Sequence, residues 1–296
     1  MGRELAERFP VAAATFAEAD EACGFPISKL CFEGPEEELK LTENTQPAIL
    51  TVSVAAARVL AAHGVQPALA AGHSLGEWSA HVIAGTLQFA DAVRAVKARG
   101  RAMQQAVPAG EGAMAAVLST DSGAITEACA EAARETGQTV AAANLNSPGQ
   151  TVISGTTAAV ERASAIAKAK GARRVVMLPV SAPFHCALML PAQEVVARVL
   201  ESLELADPTF PVAANVTGHL VTTAETAREA LVRQVTGAVR WVDCMHSLLN
   251  GGATVFVEAG PGKVLGGLLR QIDPAQKALN VEDAASLEKT LAELQS

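Results

Sequence analysis

The stretch PALAAGHSLGEWSA, residues 67 to 80, sets Ser74 between two glycines in a G-x-S-x-G pattern. A serine hydroxyl can attack a carbonyl carbon if one group takes its proton and another holds the negative charge that develops. Gly72 and Gly76 remove the side chains that would clash in a sharp strand-to-helix turn, so Ser74 would project above the carboxyl edge of a sheet. The helix starting directly after it would aim the backbone N–H of Leu75 at a developing oxyanion. The plainer alternative is an ordinary N-cap serine.

A base must come from six histidines, at 63, 73, 81, 185, 219 and 246. His63 ends a helical stretch, His81 lies inside the helix after the turn, and His73 is too tightly placed beside Ser74 to face it. His185 follows the apolar run RRVVMLPV in the loop SAPFH, and loops at the carboxyl ends of parallel strands are where α/β folds build their sites. A hydrogen-bonded loop histidine is the other reading. One cation is also out of place. Ala92, Ala95, Val96, Ala102, Met103 and Ala106 share the helical face of Arg99, whereas Arg94 and Arg101 have polar neighbours. A buried guanidinium cannot shed its charge, and its planar fork suits a carboxylate, whether an internal acid or a ligand's.

The elements that must position these groups alternate in type. PAILTVSVAAARVLAAH reads as a buried helix from Pro47 to His63 with Gly64 past its end, PALAA as a short strand, and residues 75–84 and 89–107 as helices, the second stopped by Pro108. Between about 110 and 180 the order becomes β-α-β-β-α-β, a ferredoxin-like unit. The rest returns to the first texture, with strand candidates FPVAANV and ATVFVEAG and the turn GPG. The expected fold is α/β: a large core with a mostly parallel sheet from residues 1–108 and 182–296, and a small ferredoxin-like α+β subdomain from 109–181.

Composition narrows the function classes. A net charge of −8, 3% aromatic residues and no tyrosine disfavour nucleic acid as a partner. No uninterrupted apolar run reaches the roughly 18 to 20 residues of a membrane span, and the N-terminus lacks the apolar core of a signal peptide. Five scattered cysteines without C-x-x-C spacing suit reduced thiols in cytoplasm rather than disulfides or zinc. Lys168, Lys170, Arg173 and Arg174 form the densest basic cluster, either a solvated helix end or a place for an acidic partner. EAGPGKVLGG lacks the first Gly and the Ser/Thr of a phosphate-binding loop, no acidic cluster suggests a metal, and the sequon NVT at 215–217 is idle in cytoplasm.

GHSLGEWSA, TQPAIL, AVKARGRAMQQAVPAGEGAMAAVL, NLNSPGQTVISG, PVSAPFHCALM, VRW and VEAGPGKVL together resemble, in order, the blocks of the malonyl-CoA:acyl-carrier-protein transacylases of bacterial fatty-acid synthesis. The resemblance implies a hydrolase-like α/β core with a ferredoxin-like subdomain. It makes Ser74 the acylated nucleophile, His185 its general base and acid, and Arg99, 25 residues after the serine, the grip on the malonyl carboxylate. It places Met103 and Asn146 near the pocket, Phe184 as the bulk that opposes branched acyl groups, and the carbonyl that orients the histidine at Arg240. It implies no cofactor, with malonyl-CoA and the phosphopantetheine of acyl carrier protein as substrates, in a cytoplasmic monomer without nucleic-acid or membrane partners.

In the family a first strand leads to an F-P-G-Q-G-S-Q type loop whose glutamine amide is the second oxyanion donor. Here MGRELAERF resembles the helix beyond that loop, so the expectation is a first Met internal to the true reading frame. A serine hydrolase is disfavoured because no acid stands convincingly at a strand end between Ser74 and His185; Glu258 follows both. A noncatalytic scaffold retaining the fold is the remaining alternative.

Overall fold

A computed structural model describes residues 1–118, 122–180 and 182–295. Helices α1 (Arg3–Arg8), α2 (Pro10–Cys23), α3 (Ile27–Glu33) and α4 (Glu36–Leu39) lead into the long α5 (Thr42–Ala62). The last begins before Pro47 rather than at it, which costs the one hydrogen bond Pro47 cannot donate. Its early first turn is possible because its neighbour is cut away there: a Cβ on Gly100 would lie 2.5 Å from the Thr42 carbonyl oxygen. By length and mean hydropathy α5 could cross a membrane although Arg58 interrupts its apolar run, but 61% of that window is buried inside the fold, against α2 among others.

Strand β1 (Ala70–Ala71) enters the serine turn, followed by α6 (Leu75–Ile83) and α7 (Phe89–Gln105). Then come β2 (Gly112–Leu118), α8 (Ser122–Thr136), β3 (Val140–Ser147), β4 (Gln150–Thr156), α9 (Thr157–Ala169) and β5 (Arg174–Met177). These four strands form an antiparallel sheet in the order β3-β4-β2-β5, and Val117, Ile125, Ile153 and Val160 close a separate apolar core between it and the two helices. From the basic cluster, Lys170 is tied to Glu131 at 3.0 Å.

The chain continues through a 3-10 turn into α10 (Leu190–Glu201), then β6 (Val212–Ala213), β7 (Leu220–Val221), α11 (Ala224–Gln234), α12 (Trp241–Asn250), β8 (Val255–Ala259), α13 (Val264–Ile272), β9 (Lys277–Val281) and α14 (Ala284–Leu294). Parallel pairing is present but divided: β1 runs parallel to β6, which carries β7 antiparallel at its other side, and β8 runs parallel to β9 in a separate pair. A cleft of about 920 Å³ lined by residues from β1 and β8 separates the two pairs. The strands β1 and β6 stop after two residues because a side chain takes over the pairing: Asn215 donates its Nδ2–H to the Gly72 carbonyl at 2.8 Å. All five cysteines are free and buried.

Candidate active site

Ser74 stands between β1 and α6 with φ 51° and ψ −104°. Among the described residues only Ser74 and His185, at φ 59°, are non-glycine residues with positive φ. Such conformations cost about 1–3 kcal/mol each and persist where surroundings over-determine them. At Ser74 those surroundings are visible. A Cβ on Gly72 would fall 1.9 Å from the Gly76 carbonyl, so only glycine lets the strand end meet the helix start. The Ser74 N–H donates to Asn215 Oδ1 at 2.7 Å, and its carbonyl accepts from Gln234 Nε2 at 2.8 Å. Leu75 opens α6, where the first N–H groups have no helical partner, and no described group accepts from its N–H.

The hydroxyl of Ser74 lies 2.8 Å from His185 Nε2. His185 donates its Nδ1–H to the Gln234 carbonyl at 2.9 Å, which leaves the Nε2 lone pair facing the serine. This corrects the expectation at Arg240. That residue caps α12, its carbonyl accepts from Cys244 N, and its side chain pairs with Asp243 at 2.6 Å on the surface. The end of α11 reaches His185 first, because Gln234 is fully buried beneath the elbow. Burial, reinforced by the charge of Arg99, pushes the His185 imidazole down to about 3, so it is neutral and able to accept a proton at pH 7.

Arg99 is 1% exposed. Its Nη1 donates to Gln46 Oε1 at 2.7 Å, and its Nη2 donates to Gln234 Oε1 at 2.9 Å and to Ser74 Oγ at 3.2 Å. Among the described residues its Nε has no partner, and none of its hydrogen bonds is to a carboxylate. Burial lowers the guanidinium to about 10, still a cation at neutral pH. The structure thus joins Ser74, His185 and Arg99 and gives the cation amide and hydroxyl partners, none of them charged.

The other expected residues stand further out. Met103 is buried and its sulfur accepts from Gln46 Nε2 at 3.8 Å, so it sits behind the arginine's support. Asn146, on β3, touches His73 rather than Ser74: its Oδ1 lies 2.8 Å from His73 Nε2. Phe184 precedes the base and packs into the apolar core.

Four residues escaped the sequence reading. Gln46 sits in TQPAIL, a polar residue buried where the apolar part of α5 begins. Asn215, read as part of an idle sequon, is 0% exposed and latches the elbow. Glu77 stands three residues after Ser74, where it reads as the acid of a capping box. Instead its Oε2 accepts from Asn215 N at 3.0 Å and from Gln234 Nε2 at 2.7 Å. Gln234 had no signal in its neighbours; its role comes from where α11 ends.

A family model described as acyl transferase domain matches residues 1–293. The chain is 45% identical over 294 residues to the malonyl CoA-acyl carrier protein transacylase of Bacillus subtilis (strain 168), covering 99% of this chain and 92% of that protein. Against the protein of the same name from Escherichia coli O157:H7 it is 49% identical over 270 residues, covering 91% and 87%. An acyl carrier protein S-malonyltransferase structure from Vibrio cholerae O1 biovar eltor superposes with a TM-score of 0.95 at 46% identity, over 98% of this chain and 94% of that one. A malonyl-transacylase solved in complex with a type II PKS acyl-carrier protein gives 0.95 at 47% identity, over 99% and 94%. Similarity of this extent, running from the serine turn past the arginine helix to the last strand, places the chain in the acyl transferase domain family.

Proposed function

We propose that the protein transfers a malonyl group from malonyl-CoA to the phosphopantetheine thiol of acyl carrier protein, through a malonyl ester on Ser74. One observation carries this reading: the serine hydroxyl is held between a neutral imidazole at 2.8 Å and a buried guanidinium at 3.2 Å that has no acid hydrogen-bonded to it. His185 takes the serine proton as Ser74 attacks the thioester, the Leu75 N–H receives the oxyanion, and the protonated imidazole passes its proton to the departing thiolate. Coenzyme A leaves, and the carrier's thiol repeats the steps in reverse. A malonyl ester's free carboxylate lies one methylene beyond its acyl carbon, within reach of Arg99. Acetyl offers nothing there and leaves the guanidinium with its amide and hydroxyl partners alone. Phe184 narrows the acyl side.

The sheet order β3-β4-β2-β5 supports reading residues 109–181 as a ferredoxin-like insertion in a hydrolase-like core of 1–108 and 182–296. Buried, unpaired cysteines support a reducing cytoplasmic setting, and the proposed enzyme serves fatty-acid synthesis as a monomer without a cofactor. Incubation with malonyl-CoA followed by mass spectrometry tests the reading. A malonyl adduct present in the wild type and lost in Ser74→Ala is expected, together with malonyl-carrier as product. Free malonate without malonyl-carrier would show a hydrolase instead.

A further inference from the structure

Glu77 is a fully buried acid directly beneath the nucleophile, and the transfer chemistry leaves it without a task. Its Oε2 receives two N–H groups, while its Oε1 has no partner among the described residues. A single amide links it to Arg99: Gln234 accepts from the guanidinium through Oε1 and donates to the carboxylate through Nε2. The acceptor-only carboxylate therefore also fixes which way the Gln234 amide faces. With the pocket empty, the arginine's countercharge is this acid, one amide away.

A malonyl carboxylate seated on Arg99 changes the balance. One buried cation would then face two buried anions, which is costly in a medium with little water. The unpartnered Oε1 is the open position for a proton. We propose that Glu77 and the malonyl carboxylate alternate as the countercharge of Arg99: Glu77 is ionised in the free enzyme and takes up a proton when Ser74 is malonylated. This deepens the malonyl-transfer reading and rests on it. The step balances: enzyme hydroxyl, malonyl-CoA, ionised Glu77 and one solvent proton become malonyl ester, coenzyme A thiol and protonated Glu77.

The surroundings favour such an exchange. Burial raises the Glu77 carboxyl to about 7, against hydrogen bonds from Asn215 and Gln234 and the charge of Arg99, which pull it down. Arg99 comes from α7, Gln234 from α11, Asn215 from beyond β6, and the Cys244 thiol, raised by burial and held neutral, from α12. On α5 the residue facing Arg99 is the amide Gln46, and β1 and β6 bring only alanine and valine. His81, one turn further along α6, is pushed by burial to about 4, and His73 is also lowered by burial. Satisfying Arg99 with another anion removes the pull that keeps Glu77 ionised.

The test is proton uptake during single-turnover acylation with malonyl-CoA, followed with a pH indicator while mass spectrometry counts the adduct. Below the range where the coenzyme A thiol ionises, the chemistry itself is proton-neutral. Corrected for the fraction of released coenzyme A thiol that ionises, the expected result is an uptake of about half a proton per adduct near pH 7, growing toward about one as pH rises through the next unit, and none in Glu77→Gln. Adduct formation without uptake in the wild type overturns the proposal, as does equal uptake in Glu77→Gln. If Glu77→Gln does not fold, infrared difference spectra of the wild type decide. A protonated-carboxyl band appearing on malonylation supports the exchange, and its absence overturns it. No wild-type adduct at all would sink the transfer reading, and the exchange with it.

Discussion

The four-stranded antiparallel unit and the serine elbow are built by opposite means. In the former, strands of seven and eight residues pair in near-continuous register, and apolar side chains such as Ile153 and Val160 close the core. At the elbow the strands last two residues, and Asn215, Gln234 and Glu77 complete the hydrogen bonding that a ladder would supply. Repetitive backbone pairing gives a unit whose substitutions are felt as stability. Side-chain pairing gives strained backbone at the two reacting residues, and its substitutions are felt as rate.

The sharpest way to break that contrast is Ser74→Ala. Transfer should fall by roughly 10⁴-fold or more with the folded state retained, measured as malonyl-carrier formed per folded molecule. Arg99→Ala comes next. Losing the buried cation that meets malonate should reduce the preference for malonyl over acetyl transfer by ~10²- to 10³-fold, the equivalent of about 3–4 kcal/mol; an unchanged preference would remove the arginine's role. On the other side, Ile153→Ala deletes a side chain that is 0% exposed. It should cost about 2–5 kcal/mol in denaturant unfolding while the kcat/KM of the folded fraction stays within about twofold.

The smallest effect concerns pH. His81 and His185, lowered to about 4 and about 3, cannot take the protons that their unfolded counterparts accept below 6.5, so each loses stability as pH falls. Glu77, raised to about 7 from 4.5, binds a proton in the fold that the unfolded chain releases, and acts in the opposite sense over that window. His73, also lowered by burial, acts with the other two histidines, so three groups against one leave a net loss of stability of at least about 1.4 kcal/mol per pH unit on going from about pH 6 to about pH 5. Denaturant titrations at the two pH values check the slope, and Glu77→Gln should steepen it.

The same contrast sets what could be read in advance. The β-α-β-β-α-β order was visible because apolar runs and turn residues alternate there at regular spacing. Ser74, His185 and Arg99 were visible because each breaks its local setting: a serine between glycines, a histidine ending a strand-following loop, a cation in an apolar stripe. Asn215, Gln234 and Glu77 break nothing locally. A sequon, a helix end and an apparent capping acid each had an ordinary explanation, and only the folding together of α6, α11 and the loop after β6 makes them one network. Arg240 was misassigned for the same reason, since which carbonyl meets an imidazole depends on where a helix stops.

The buried cysteines bear on a hazard peculiar to this chemistry. Thiols enter and leave the pocket in every cycle, and any accessible cysteine would compete with coenzyme A and the carrier for the activated acyl group. Burial holds Cys23 at about 11 and Cys31 and Cys129 at about 12, far from the thiolate form that exchanges thioesters. Self-acylation at a dead-end sulfur is thereby suppressed, and a thiol-trapping dye can report coenzyme A release continuously without titrating the catalyst.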